Sequence, residues 1–249
     1  MTGAARGIGR AIAERLASDG FDIVAHYYQE HQAVNLVKER LTAKGAKVCT
    51  ISADFADPSA AEQLVPYTLD RMGRVDAVIN NSGVTWLKPF TEMTPRDLDR
   101  YYHINFRAAW VISHDAAVAM TREKRGGTIV HITSVHQGRS SDGDAVYGTF
   151  KAALARATES MAMDLGRYGI RVNAVAPGHI QLPEKGKELS VSPTVIPLMR
   201  SGTVAEVANA VSWLVSDDAS YVTGHILHVD GGLGLPLVQT IGPHGLQFI

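Results

Sequence analysis

Residues 2–27 read TGAARGIGRAIAERLASDGFDIVAHY. Gly3, Gly7 and Gly9 form G-x-x-x-G-x-G, and the helical spacing of Ile8, Ile12 and Leu16 starts inside that loop. Glycine lets the backbone turn tightly and approach a pyrophosphate closely. The helix start behind it presents unpaired N–H groups and a partial positive charge. The apolar run FDIVAHY (21–27) follows as a strand. A strand normally precedes such a loop too, and here Met1 stands where that strand should be ending.

Working outward, the same alternation continues. AKVCTI (46–51), VDAVIN (75–80), GTIVHIT (127–133), IRVNAVA (170–176) and HILHVD (225–230) are short, β-branched and nearly continuous in apolar character. Strands covered on both faces read this way. Between them lie stretches with helical spacing, marked by Val34, Val37 and Leu41 and, near 144–167, by Ala152, Ala155 and Met161. The pattern predicts parallel βαβ units in one doubly wound, Rossmann-like α/β sheet, with ligands at the carboxyl ends of the strands. No repeat or charge block divides the chain, so one domain over 1–249 is expected. The polar, Pro-rich stretch 183–197 is expected to form a substrate lid.

Composition narrows the function. The 249 residues carry 24 Lys plus Arg against 25 Asp plus Glu, a formal charge of −1. That balance gives no electrostatic footprint for nucleic acid or an anionic membrane. The single cysteine, Cys49, excludes an intrachain disulfide and fits a reducing compartment. No apolar run approaches the ~20 residues of a membrane span. A cytoplasmic protein is expected.

TGAARGIG (2–9), Asp54, NNSG (80–83), Asn105, Ser134, Tyr147-Gly-Thr-Phe-Lys151 and Pro177-Gly178 stand in the order and spacing of the short-chain dehydrogenases/reductases. The chain resembles that family from residue 2 to about residue 234, with a lean toward the sugar-oxidising branch in SVHQ (134–137) and in the tail beyond Gly232. The resemblance implies an NAD(P)-dependent oxidoreductase acting on a small alcohol or carbonyl compound. Tyr147 and Lys151 are four apart on a predicted helix and share one face. A free phenol, with a pKa of ~10, is a poor base at neutral pH. A neighbouring ammonium and an oxidised nicotinamide would stabilise the phenolate, so Tyr147 is expected to exchange the proton as hydride moves. By resemblance, Lys151 also bonds the nicotinamide ribose, Ser134 holds the substrate oxygen, and Asn105 anchors the water of a proton relay. Gly3, Arg6, Gly7, Ile8, Gly9, Asp54, Asn81, Gly83, Pro177, Gly178 and Ile180 are expected to line the cofactor, Asp54 accepting from the adenine amino group.

His131 and His136 flank Ser134, which raises a Ser–His hydrolase as an alternative. No G-x-S-x-G elbow surrounds that serine. His131 is expected to pack in the core, and no metal is expected because no ligand cluster has suitable spacing.

NADP is favoured over NAD. The second strand of the family pattern ends here in Ala25-His26-Tyr27-Tyr28, with no carboxylate to repel a 2′-phosphate. Arg6 can offer that phosphate a guanidinium, with His26 or Tyr28 assisting.

Two departures from the family pattern stand out. Leu182 occupies the place of a Thr expected to contact the cofactor. The strand ahead of the glycine loop would be central, and omitting it leaves a slot nearly 10 Å wide at ~4.8 Å per strand. The flanking strands could close up, another segment could fill the slot, or the polypeptide could start upstream of Met1. The last is the expectation, with a form starting at Met1 poorly soluble and weak in cofactor binding. Both departures keep an alternative open, a family member that binds nucleotide as a sensor or assembly subunit without turnover. By resemblance, a homotetramer is expected.

Overall fold

The computed structural model describes residues 1–182 and 195–235. In chain order these form α1 (Gly7–Ser18), β1 (Ile23–Tyr27), α2 (His31–Ala43), β2 (Val48–Ser52), α3 (Leu64–Met72), β3 (Ala77–Asn80), α4 (Pro95–Tyr102), α5 (Ala108–Glu123), β4 (Gly127–Ile132), α6 (Tyr147–Leu165), β5 (Ile170–Pro177), β6 (Ile180–Gln181), β7 (Gly202–Thr203), α7 (Val204–Val215) and β8 (Ile226–Val229). Each strand expected from the sequence forms, with its bounds moved by no more than two residues.

All strand pairs are parallel. β3, β4, β5 and β8 pair in that order, with registers such as Ile79↔Val130, Val130↔Asn173 and Val175↔Leu227. β1 pairs only with β2, from Ile23↔Val48 to Tyr27↔Ser52. β6 and β7 make a two-residue pair beside them.

Side chains alternate across these strands, so the sheet feeds two cores. One face gives Ile23, Ala25, Ile79, Val130 and Val175 to a cluster with Ile12 and Leu16 of α1, Val34, Val37 and Leu41 of α2, and Val207, Val211 and Leu214 of α7. The other gives Val78, Ile129, Ile170 and Val172 to Leu64 and Val65 of α3, Ile112 and Met120 of α5, and Ala162 of α6. Each fully buried Ile, Leu or Val contributes about 1.5–3 kcal/mol, which is why both faces stay covered. This is the doubly wound α/β architecture that the alternation predicts. No described helix is long and apolar enough to cross a membrane.

β1 and β3 do not close on one another, and only Met1–Ala4 bridges them among the described residues. Met1 N donates to Val24 O at 2.8 Å and Met1 O accepts from His26 N at 2.9 Å. On the far side, Thr2 N donates to Ile79 O at 2.9 Å, and Ala4 N returns to His26 O at 2.9 Å. Toward the amino ends of the strands a cavity of about 310 Å³ remains, walled by Ile23, Val24, Ala77, Val78, Leu64 and Ile112 among others.

Candidate active site

The glycine loop leaves the bridge at the carboxyl end of the sheet. A Cβ on Gly9 would stand 1.9 Å from Gly3 O, so only glycine permits this packing of helix on loop. α1 starts with no side-chain cap from Arg6 and no acidic residue in its first turn, an arrangement that suits an anionic ligand. Ile8 packs, partly buried, against the core below.

Two side chains hold this loop from outside it. Asn81 Nδ2 donates to Thr2 O and Gly3 O, both at 3.1 Å. The backbone N–H groups of Asn81 and Ser82 both reach Thr2 Oγ1 at 2.9 Å. On the opposite side Gly3 N donates to His26 Nδ1 at 3.2 Å. Nδ1 is therefore the acceptor, and Nε2 carries the proton that goes to Ala53 O at 3.0 Å. The ring stacks on Phe55, and burial holds its pKa down to about 4. The expectation that His26 assists a 2′-phosphate is overturned, because both ring nitrogens are used and the residue is 3% exposed. Asn81, expected near the cofactor, spends its amide donors on the loop itself.

At the neighbouring strand ends a second group converges. Ser134 leaves β4 in extended conformation, and its Oγ accepts from His136 N at 3.2 Å. Tyr147 opens α6, and Lys151, one turn on and 3% exposed, donates from Nζ to Ile132 O at 2.8 Å. That nitrogen lies 5.8 Å from the Tyr147 ring centroid. Burial pushes the Lys151 ammonium below the usual lysine range, and the phenol of Tyr147 opposes that shift.

Asn105 sits in a π-helical turn, His103–Arg107, between α4 and α5. Such turns insert a residue and re-aim side chains, and they recur at functional sites. Its Oδ1 accepts from Val84 N at 3.1 Å, while Nδ2 is buried with no hydrogen-bond partner among the described residues. A Cβ on Gly83 would lie 2.9 Å from Asn105 Oδ1 and 3.3 Å from Lys151 Nζ. Gly83 is thus the floor on which Asn105 and Lys151 meet. Pro177 ends β5, Gly178 N donates to Val229 O at 3.0 Å, and Ile180 lies in β6.

At the other end of the loop, Asp54 accepts from Ala56 N at 2.9 Å, and its bond with the Tyr28 hydroxyl holds that phenol above its ordinary pKa. Arg6 Nε pairs with Glu30 at 2.8 Å. Reading strand ends alone misses Glu30, which stands three residues beyond β1. Leu182 lies over the loop, its Cδ2 3.3 Å from where a Gly7 Cβ would be. The expected lid falls mostly outside the described residues; at its end Ile196 is 1% exposed and Pro197 sits against Gly232. His131 packs in the core as expected, between Ser113 and Thr158, and burial lowers its pKa to about 3.

The family model described as enoyl-(acyl carrier protein) reductase matches residues 3–234. The chain is 34% identical over 239 residues to the 3-oxoacyl-[acyl-carrier-protein] reductase FabG of Staphylococcus aureus, covering 94% of this chain and 96% of that protein. The acetoin dehydrogenase YohF of Salmonella typhimurium superposes with a TM-score of 0.91 at 34% identity, over 97% of each chain. A blue fluorescent protein from a metagenomic library, solved in complex with NADPH, superposes at 0.88 and 36% identity, over 94% of this chain and 96% of that one. With the family model matching residues 3–234 and relatives 34% identical over nearly the whole chain, the chain belongs to the short-chain dehydrogenase/reductase family of oxidoreductases.

Proposed function

We propose that this chain moves a hydride between NADP(H) and a secondary alcohol or its ketone. The observation that carries the reading is the convergence of Ser134, Tyr147, Lys151 and Asn105 beside Gly83 at the carboxyl ends of β3 and β4. A nicotinamide dinucleotide fits the residues present. The tight Gly3–Gly9 approach and the first turn of α1, which carries no acidic residue, suit its pyrophosphate. Lys151 Nζ has one protein acceptor, which leaves two of its donors for ribose hydroxyls. When bound, that cofactor supplies or takes up the hydride.

The chain's own groups do the rest. The Ser134 hydroxyl holds the substrate oxygen. Tyr147 gives that oxygen a proton in reduction and takes it in oxidation, a role worth about 10²–10⁴-fold in rate. The Lys151 ammonium stands 5.8 Å from the Tyr147 ring centroid, one helical turn on. Asn105 Nδ2, without a protein acceptor, can donate to a water that carries the proton outward. Arg6 and the NADPH complex of the metagenomic relative support NADP; NAD is the cofactor to test beside it. Among the described residues β8 pairs with β5 alone, an edge that supports the expected homotetramer, checked by light scattering.

Quenching of NADPH and NADH fluorescence, followed by a panel of ketones and polyols with each cofactor, tests the proposal. Binding of NADPH with turnover of at least one ketone is expected. NADPH binding with no turnover would select the alternative of a nucleotide-binding subunit, which gains support from the apolar Leu182 over Gly7. No binding of either cofactor would overturn both.

A further inference from the structure

We infer that His131 is a positioning residue for proton transfer: its buried ring, in contact with Thr158, fixes where α6 stops along β4. That stop sets where the Tyr147 hydroxyl meets Ser134. The inference rests on the oxidoreductase reading and adds a residue to its machinery. Tyr147 opens α6, whereas Ser134 follows the end of β4. Two separate elements must therefore bring two groups to one substrate oxygen. A misplacement of about 1 Å between such groups costs on the order of 10²-fold in rate.

The buried face of α6 is Gly148, Lys151, Leu154, Ala155, Thr158 and Ala162. Apolar burial is non-directional, so the small and aliphatic members hold the helix against its neighbours without fixing its position lengthwise. Two polar attachments do fix it, and they reach successive residues of β4. Lys151 Nζ donates to Ile132 O at 2.8 Å, and Thr158 Oγ1 lies 2.9 Å from His131 Nδ1. The lysine ends a flexible four-carbon stem that can follow a shifted helix. The contact between Thr158 and the His131 ring has no such slack.

The ring is anchored from its other side as well. Nε2 lies 3.0 Å from Ser113 Oγ on α5, and that oxygen accepts from Asn80 Nδ2 at 2.9 Å. A hydroxyl both donates and accepts, so the two ring contacts hold with the proton on either nitrogen. His131 and Thr158 are 0% exposed and Ser113 1%, so solvent does not replace a lost partner. An apolar side chain would fill this place in β4 without any polar group to satisfy. A buried polar chain from α5 through β4 to α6 instead specifies one arrangement of the three elements.

The test removes the two flanking hydroxyls separately. Thr158→Val cuts the contact to α6, Ser113→Ala cuts the contact to α5, and Thr158→Ser keeps a hydroxyl on α6. Each variant is assayed with the ketone of the panel above that the wild type reduces fastest, with NADPH affinity and the urea midpoint measured beside it. Thr158→Val should lower kcat about tenfold and leave NADPH affinity within about twofold. Thr158→Ser should recover most of that rate. Ser113→Ala should lower the urea midpoint as Thr158→Val does, yet keep kcat within about twofold of wild type, because the α6 contact survives. Thr158→Ala gives the same reading should the valine variant not fold. Wild-type kcat without the Thr158 hydroxyl, or equal loss of kcat in Ser113→Ala, would reduce the ring to packing and overturn the inference. A wild type that reduces no ketone with either cofactor would overturn the oxidoreductase reading and the inference with it.

Discussion

Strands β3, β4 and β5 run beside one another over four to six paired residues, whereas among the described residues the backbone link from β1 to β3 runs through Met1–Ala4. The two parts carry different portions of the site. Ser134, Gly83 and Lys151 hang from the continuous part, where backbone ladders and two apolar cores set their positions. The glycine loop follows Met1–Ala4, which bonds to β1 on one side and to β3 on the other. There the loop is secured by side chains, Asn81 on one side and His26 on the other. Placement of the reacting groups thus depends on the sheet, and placement of the phosphate-binding loop depends on the apolar core beneath α1 together with a few long-range hydrogen bonds.

Substitutions on each side of this divide should behave differently. In the continuous part, Tyr147→Phe should leave NADPH binding within about twofold and cut kcat by roughly 10²–10⁴-fold, since only the hydroxyl is lost. Steady-state rates and a fluorescence titration check this. Retention of more than about a tenth of the rate would remove Tyr147 from proton transfer.

In the bridged part the largest effect should come from acid. The folded pKa of His26, about 4, lies below its unfolded value of 6.5, so the unfolded chain binds the proton first. Its contribution is complete above pH 6.5 and is lost as pH falls toward 4, about 3 kcal/mol in all. His131, with a pKa of about 3, adds a similar loss from the continuous part. Urea midpoints measured from pH 7 to pH 4 should fall less steeply in His26→Gln than in the wild type. Parallel slopes would mean that His26 already titrates normally in the fold.

Gly9→Ala should weaken NADPH by about ten- to a hundredfold, because its Cβ would displace Gly3 and overpacking of this kind costs about 1–3 kcal/mol. Circular dichroism of the sheet should stay unchanged. Loss of the whole fold instead would show that the bridge, and not merely the loop, depends on this contact.

The smallest effect concerns the cofactor's 2′-phosphate. Arg6→Ala should weaken NADPH about tenfold and NADH hardly at all, a modest figure because the side chain is exposed and already paired with Glu30. Glu30→Gln should act in the opposite sense, strengthening NADPH by freeing that guanidinium. Equal changes for both cofactors would remove Arg6 from the discrimination.

The sequence by itself determined the parallel α/β architecture, the strand positions and the spacing that puts Tyr147 and Lys151 on one helix face. Those features depend on periodicities of two and 3.6 residues and on short motifs, which are local to the chain. Only the tertiary structure decided that His26 is a buried clamp, that Asn81 spends its amide on Thr2 and Gly3, and that Glu30 meets Arg6. It likewise put Asp144 behind His136 and Leu182 over Gly7. Asn81 and Thr2 are 79 residues apart, and Leu182 and Gly7 farther still. Contacts at such separations follow from how the layers pack, and no local pattern in the chain encodes them.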